Sequence, residues 1–325
     1  MAEDLVVMTK DLKKYFPSKE GVVKAVDGVD LSVMPGEIFG FLGPNGAGKT
    51  TTLRMLTTLI PPDDGRAIVA GFDVRREPDK VRRSIGYVGQ SGGSDLPATG
   101  QENLVLQGRL YGMSAAEARA RARELIELLD LTEFADRIAY SYSGGQRRRL
   151  DVAIGLMNRP RVLFLDEPTT GLDPQNRANL WVQINKLRSE GTTIFLTTHY
   201  LDEADVLADR LAIMDHGKIV DEGTPAELKK EVAHECITIR VERHDENEEA
   251  LLKRLGREEF VLDVSAEEGH IKLCVKELKS ALPRLLRVID QQGVGLETVQ
   301  LSETTLDDVF LQKTGYSLRD LTPEG

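Results

Sequence analysis

Gly43-Pro44-Asn45-Gly46-Ala47-Gly48-Lys49-Thr50 decides the reading of this chain. It matches the P-loop pattern, with a short apolar strand before it (Glu37-Ile38-Phe39-Gly40-Phe41-Leu42) and a helix expected from Lys49 on. The glycines let the backbone curl until several N–H groups point at one phosphate, and the following helix adds its positive end. Lys49 brings positive charge to the β- and γ-phosphates, and Thr50 offers a hydroxyl to Mg²⁺. Gly43, Asn45, Gly46, Gly48 and Thr51 complete the expected phosphate cradle.

A second half of the site is expected where Arg161-Val162-Leu163-Phe164-Leu165, a buried strand, runs into Asp166-Glu167. A carboxylate at a strand end beside a phosphate loop can hold the Mg²⁺ shell, which is the role expected of Asp166. A second carboxylate next to it, Glu167, can polarise an attacking water.

Outward from these motifs the first part of the chain alternates strands and helices. Strands are expected at Thr192–Thr198 and Leu211–Met214, and helices at Gln175–Ser189 and Leu201–Ala208. Such alternation implies an α/β fold with a mainly parallel sheet covered on both faces. Ser114 to Leu129 reads as an amphipathic helix capped by Ser114, with Glu117 three residues on. The composition shifts near Gly223-Thr224-Pro225, and from about residue 235 the order reads strand (Cys236–Val241), helix (Asn247–Leu255), strand (Phe260–Val264), a turn at Glu268-Gly269, strand (Ile271–Val275), helix (Leu278–Gln291), strand (Leu296–Leu301) and a last helix (Thr305–Lys313). That βαββαβ order predicts a small split-βαβ sandwich. Thr304 with Asp307 is the expected cap of the last helix.

The bulk numbers narrow the class. With 41% hydrophobic and 29% charged residues the chain has the composition of an ordinary soluble protein. A formal net charge of −11 argues against broad nucleic-acid binding, which needs basic surface. No apolar run approaches the roughly 18 residues needed to span a bilayer, so a membrane role would require another chain. The start, MAEDLVVMTKDLKKYF, lacks the basic and apolar regions of a signal peptide. Cys236 and Cys274 fit no metal spacing and are expected as buried thiols without a disulfide.

Tyr142-Ser143-Gly144-Gly145-Gln146, between the two phosphate motifs, carries a specific resemblance. With the P-loop and Asp166-Glu167 it resembles the ATP-binding subunit of ABC transporters over roughly residues 5 to 230. Thr170-Gly171-Leu172-Asp173 resembles the D-loop of that family and Thr198-His199 its switch histidine. Gln90 in Tyr87-Val88-Gly89-Gln90 resembles the Q-loop glutamine, and Tyr15 the aromatic that stacks on adenine. Two departures stand out: Tyr142 where Leu is usual, and Gly89 where Pro is common.

The resemblance implies a P-loop NTPase ABC cassette over 1–230, with a RecA-like parallel-sheet core, an antiparallel β subdomain and a helical subdomain at about 92–158, followed by an accessory domain over 235–325. It implies ATP and Mg²⁺, with Glu167 as general base, His199 at the γ-phosphate, and Thr50, Gln90 and Asp166 around the metal. Ser143, Gly144, Gly145 and Gln146, at the start of a helix, would form a second anion-binding end that closes on the nucleotide of another copy, giving a head-to-tail homodimer. Arg147, Arg148 and Arg149 extend that helix, either as a solvated face or as contacts to nucleotide or partner.

Finer motifs resemble the daunorubicin-resistance group of export ATPases: Tyr142 through Leu150, Ser94-Asp95 to Glu102-Asn103-Leu104, and Leu306-Asp307-Asp308-Val309-Phe310 before Thr314-Gly315. They imply a separate polytopic membrane subunit as partner, no nucleic acid, and a peripheral place on the cytoplasmic side of the membrane. A drug, an antibiotic or a lipid-like compound is the implied cargo. A soluble ABC ATPase acting in translation or DNA handling, and an importer, stay open as alternatives; a plain P-loop kinase or GTPase is disfavoured by the Ser143–Gln146 segment.

Overall fold

The computed structural model describes residues 5–19, 21–232, 235–241, 251–267, 270–292, 294–302 and 304–318. The chain divides after Pro225 into two compact units.

The first unit is built on a six-stranded sheet. Five strands run parallel: β3 (Ile38–Leu42), β6 (Ile85–Val88), β7 (Val162–Asp166), β8 (Thr193–Thr198) and β9 (Arg210–Asp215), with β10 (Lys218–Gly223) antiparallel on the edge. The order is β10-β9-β3-β8-β7-β6, so β8 separates the phosphate-loop strand from the strand ending in Asp166. All residues of β3, β7 and β8 are buried, as both-face burial requires. The period-2 alternation then sorts the side chains. Phe39, Phe41, Phe164 and Phe195 point to one face, and Ile38, Leu163, Leu165, Ile194 and Leu196 to the other. The phenylalanine rings pack tilted or edge-on with centroids 5.4–5.6 Å apart, each such pair adding about 0.5–1.5 kcal/mol beyond burial.

Against the phenylalanine face lie α1 (Lys49–Leu56) and an antiparallel sheet in the order β2-β1-β4-β5, made of β1 (Val7–Ser18), β2 (Gly21–Val33), β4 (Asp64–Val69) and β5 (Phe72–Asp73). Against the other face lie α3 (Gly100–Leu110), α4 (Ala115–Leu128), α5 (Gly144–Gly155), α6 (Pro174–Ser189) and α7 (Leu201–Leu207), with α2 (Pro78–Ser84) preceding β6. The α4 cap is the expected one: Ser114 Oγ accepts from Glu117 N while the Glu117 carboxylate accepts from Ser114 N at 2.8 Å.

The second unit, residues 226–317, contains a four-stranded antiparallel sheet. The order is β12-β13-β11-β14, from β11 (Glu235–Val241), β12 (Val261–Glu267), β13 (His270–Val275) and β14 (Leu296–Ser302). α8 (Pro225–Glu231) precedes β11, and a helical stretch at 251–255 and α9 (Leu278–Gln291) complete the βαββαβ order. Leu251, Leu255, Ala281, Leu285 and Ile289 pack on Ile237, Ile239, Ile271 and Leu273 of the sheet. Residues 247–250 of the expected helix and the expected turn at Glu268-Gly269 lie outside the described residues. One expectation shifts by a residue. The last helix, α10 (Leu306–Thr314), is capped by Thr305 with Asp308, not by Thr304 with Asp307. Both pairs have the T-x-x-D spacing, and the buried set Leu306, Val309 and Phe310 sets which register is used. Cys236 and Cys274 are register partners with Sγ atoms 3.0 Å apart and no disulfide; Cys236 is buried and Cys274 half-buried. Burial, then the neighbouring thiol, pushes the Cys236 thiol up to about 12.

Candidate active site

β3 delivers the phosphate loop at its C-terminal end, and α1 leaves from Lys49. Gly48 closes the loop at φ 109°, and a Cβ there would lie 2.2 Å from the Ala25 carbonyl oxygen on β2. Only glycine fits that passage. Asn45 and Gly46 are exposed at the loop tip, and Thr51 is half-buried in the first turn of α1.

Lys49 is buried, with Nζ donating to the carbonyls of Gly43 at 2.6 Å and Pro44 at 2.9 Å. Burial lowers its pKa, against the charges of Glu167 and Asp166, which work to raise it. Asp166, at the end of β7, accepts on one oxygen, Oδ1, from Thr50 Oγ1 at 3.0 Å and from Thr197 Oγ1 at 2.7 Å. Thr197 is its register partner on β8, so two parallel strands fix this carboxylate.

Glu167 follows at φ 45°, a left-handed conformation uncommon outside glycine. Its N–H donates to the Thr197 carbonyl at 3.1 Å and to Thr197 Oγ1 at 3.0 Å. Its side chain, 9% exposed, faces Lys49 Nζ at 3.7 Å, His199 Nδ1 at 3.4 Å and the Thr170 hydroxyl at 3.2 Å. Burial raises its pKa, but the His199 contact, Lys49 and Thr170 together outweigh burial and leave it below the ordinary value. Lys49, Thr50, Asp166, Glu167 and His199 thus form one cluster.

The group fits a hard divalent cation and a triphosphate. Thr50 and Asp166 present hard oxygen donors 3.0 Å apart, the donor type Mg²⁺ takes. Among the described residues, buried His199 Nδ1 makes no hydrogen bond of good geometry, its neighbour being Glu167 Oε2 at 3.4 Å. Exposed Gln90 lines a cleft of about 340 Å³ that Asp166 also lines, together with Arg54, Tyr87 and Asp151.

Tyr15 and Phe16 belong to neither core cluster. Tyr15 lies half-buried on β1 opposite Lys24, the residue before Ala25, whose carbonyl backs Gly48. Its hydroxyl donates to Asp27 Oδ1 at 2.6 Å, which fixes the ring beside the phosphate loop. If that ring carries a base, Tyr15→Ala lowers ATP affinity about 5- to 150-fold, because stacking contributes about 1–3 kcal/mol per base. Tyr15→Phe retains most of it. Equilibrium dialysis with labelled ATP measures both, and an unchanged constant in Tyr15→Ala removes Tyr15 from the site.

Ser143 caps α5, exposed, in a capping box with Gln146. Gly144 is exposed and packs near Leu172; a Cβ on Gly145 would lie 2.2 Å from Asn176 Oδ1 on α6. Asn176 is in turn held by Asp173, which caps α6. The Ser143–Gln146 segment therefore packs on Leu172-Asp173 and the start of α6. Among the described residues, no hydrogen bond or ion pair links it to the Lys49–Glu167 cluster. The two departures have local partners. The buried Tyr142 sends its hydroxyl to the Phe134 carbonyl, across the space that a side chain at Gly100 would fill. A Cβ on Gly89 would stand 2.9 Å from the Tyr87 hydroxyl.

Of the three arginines, the structure corrects the middle one. Arg149 donates to the carbonyls of Leu129 and Asp130, and Arg147 is half-buried. Arg148 is neither a solvated face nor an outward contact: it is buried and bonded to backbone inside the unit. Glu203 was also missed. Fully buried on α7, it accepts from the indole N–H of Trp181, the single tryptophan, at 3.2 Å, and burial raises its pKa. The available signal was a charge on the apolar stripe of each helix: Gly145, Arg148, Val152 and Gly155 on α5, and Glu203, Ala204 and Leu207 on α7.

Residues 26–170 match the ABC transporter family, and residues 223–314 match the ATP-binding protein DrrA1-3-like, C-terminal domain. The daunorubicin/doxorubicin resistance ATP-binding protein DrrA of Streptomyces peucetius is 45% identical over 303 residues, 93% of this chain and 91% of that protein. This chain belongs to the ABC transporter family, as an ATP-binding subunit. The linearmycin resistance ATP-binding protein LnrL of Bacillus subtilis is 34% identical over 97% of this ABC subunit and all of its own length. Among solved structures, the dimeric post-hydrolysis state of the ATP-binding cassette MJ0796 bound to ADP and Pi superposes with a TM-score of 0.61 at 28% identity, covering 67% of this chain and 98% of that cassette. The ABC subunit is accordingly an ATPase. Its fold, a mixed α/β cassette with a parallel core and a DrrA-like C-terminal domain, is the one the sequence implied.

Proposed function

We propose that this ABC ATPase is the motor subunit of an exporter for a drug, an antibiotic or a lipid-like compound, working at the cytoplasmic face of the membrane on a separate polytopic subunit. The resistance names of its relatives and the match of its C-terminal unit support the export reading. Among the described residues no helix is long and apolar enough to cross a membrane, which agrees with the channel being another chain.

The observation that carries the chemistry is the Glu167 carboxylate, held between Lys49, His199 and Thr170 beside the Thr50–Asp166 pair. Lys49 and the N–H groups of the loop bind the β- and γ-phosphates of ATP. Glu167 accepts a proton from water as its oxygen bonds to the γ-phosphorus; the bond from that phosphorus to the bridging oxygen breaks, leaving ADP and inorganic phosphate. His199 holds the γ-phosphate, and Gln90 links the site to the cleft. Thr50, Asp166 and Gln90 would hold Mg²⁺, which when bound neutralises charge on the phosphates. The exposed Ser143-Gly144 end of α5 is turned to the D-loop side of its own chain. A second copy, placed head to tail, supplies this end to the triphosphate, so hydrolysis depends on closure.

Tagged Glu167→Gln protein, expressed in its native cell, trapped with ATP and gently solubilised, is expected to bring down a polytopic membrane protein. Recovery of ribosomal or DNA-bound partners without one would sink the exporter reading.

A further inference from the structure

The buried face of α5 carries two charged residues among its apolar ones. Arg148, 7% exposed, and Asp151, 5% exposed, lie three residues apart on it, one helical turn after the Ser143 cap. Arg148 spreads its guanidinium over two segments distant in sequence. Nε donates to the Pro168 carbonyl at 2.7 Å, and Nη2 to those of Asp166 at 3.0 Å and Glu167 at 3.3 Å. Nη1 donates to the Gly89 carbonyl at 2.7 Å. Asp151 takes the far side of the same loop, accepting on Oδ1 from Gly93 N at 2.9 Å and Ser94 N at 3.0 Å.

One helix therefore grips the turn that carries Glu167 by three successive carbonyls, and the loop that carries Gln90 on both flanks. Burying a guanidinium is unfavourable unless its donors are satisfied, so a cation here is a poor choice for filling space alone. An apolar side chain would serve packing alone. What the planar fork adds is geometry: its donors lie in one fixed plane and reach both segments at once, which an ammonium cannot do. The grip also falls where the backbone is strained. Glu167 sits at φ 45°, and such a conformation persists only when its surroundings over-determine it. The Arg148 bonds to the carbonyls of Asp166, Glu167 and Pro168 supply part of that determination.

We propose that Arg148 is a positioning residue that couples the Ser143–Gln146 segment to the orientation of Glu167 and the placement of Gln90, so that seating this segment on nucleotide sets the rate of hydrolysis. It acts through Glu167 and Gln90 and makes no contact with ATP. The coupling to nucleotide rests on the head-to-tail reading above; the alignment of Glu167 does not.

The test uses the purified full-length chain. Arg148→Gln and Arg148→Lys are compared with wild type for kcat, for the dissociation constant of ATP and for melting temperature, and the Glu167→Gln protein is assayed for dimer formation with ATP. Arg148→Gln is expected to lower kcat about 10- to 100-fold, the scale of a misplacement of about 1 Å, with ATP affinity within about twofold, since no phosphate contact is lost. Arg148→Lys is expected to recover the melting temperature but not kcat, because it restores charge without the fork. It is also the deciding variant if Arg148→Gln does not fold. The proposal is overturned if Arg148→Lys turns over ATP at the wild-type rate, or if kcat, ATP affinity and melting temperature fall in step in both variants, as loss of folded protein would produce. Failure of Glu167→Gln to dimerise with ATP would remove the head-to-tail reading and with it the coupling, while the kcat of the Arg148 variants still decides the alignment of Glu167.

Discussion

Glu167→Gln is expected to lower the ATP turnover number at least about 100-fold and to leave ATP bound, since a positioned general base contributes about 10²–10⁴-fold. The substitution is isosteric. Gln keeps an oxygen to accept from Thr170, which stands 3.2 Å from Glu167 Oε2, and keeps the backbone bonds to Thr197. The capacity to take a proton is lost, together with the negative charge that faces Lys49 and His199. The wild-type carboxylate is suited to that role. Burial pushes its pKa up, but His199, then Lys49, pull it below the ordinary value of 4.5, so it is ionised at neutral pH. Activity that depends on this group is present above its folded pKa and is lost as the pH falls through it. The acid limb belonging to Glu167 therefore lies on the acid side of that of an ordinary carboxylate. Single-turnover kinetics at saturating ATP measure the fall, and size-exclusion with ATP measures the dimer that should accumulate when hydrolysis stops. Wild-type turnover in Glu167→Gln would end the base assignment.

That carboxylate was legible because its signals are local. A buried parallel strand is a continuous apolar run, so β3, β7 and β8 stand within a residue of where the sequence places them. The phosphate loop is legible because glycine at φ 109° beside a backbone carbonyl has no substitute. The antiparallel strands β1, β2, β4 and β5 were not located one by one. They are part-exposed, and β1 slips register against β2 at three points, which breaks the alternation that would reveal a strand. Arg148 was missed for a different reason. Three consecutive arginines read as a solvated face, and the carbonyls that hold the middle one lie 18, 19, 20 and 59 residues away in the chain. Spacing on α5 puts Arg148 in line with buried Gly145 and Val152, but only the folded partners explain why a cation belongs there. Tyr142 shows the same limit: it departs from a family preference, and its partners, Gly100 and Phe134, are neighbours only in space.

Lys49→Ala is expected to weaken ATP binding at least about 100-fold, and for a reason that reaches beyond the lost phosphate contact. Lys49 is buried, with Nζ 2.6 Å from the Gly43 carbonyl and 2.9 Å from that of Pro44, at the mouth of the loop. Hydrogen bonds to charged groups contribute about 1.5–3 kcal/mol each, and two such bonds to phosphate oxygens exceed the roughly 2.8 kcal/mol that a hundredfold change requires. The same nitrogen is 3.7 Å from Glu167 Oε1 and is one of the charges that keep Glu167 ionised. Removing it leaves burial less opposed, so the Glu167 pKa rises and residual hydrolysis acquires an acid limb at higher pH than in wild type. Lys49→Arg restores the charge but places a broad planar group where a compact one sits between two carbonyls, and it is expected to regain the pH profile better than the affinity. Equilibrium dialysis with labelled ATP gives the affinity and steady-state rates across pH give the limb. ATP affinity in Lys49→Ala within about threefold of wild type, less than 1 kcal/mol, would remove Lys49 from the phosphate site, and an unmoved acid limb would show that Glu167 keeps its charge without it.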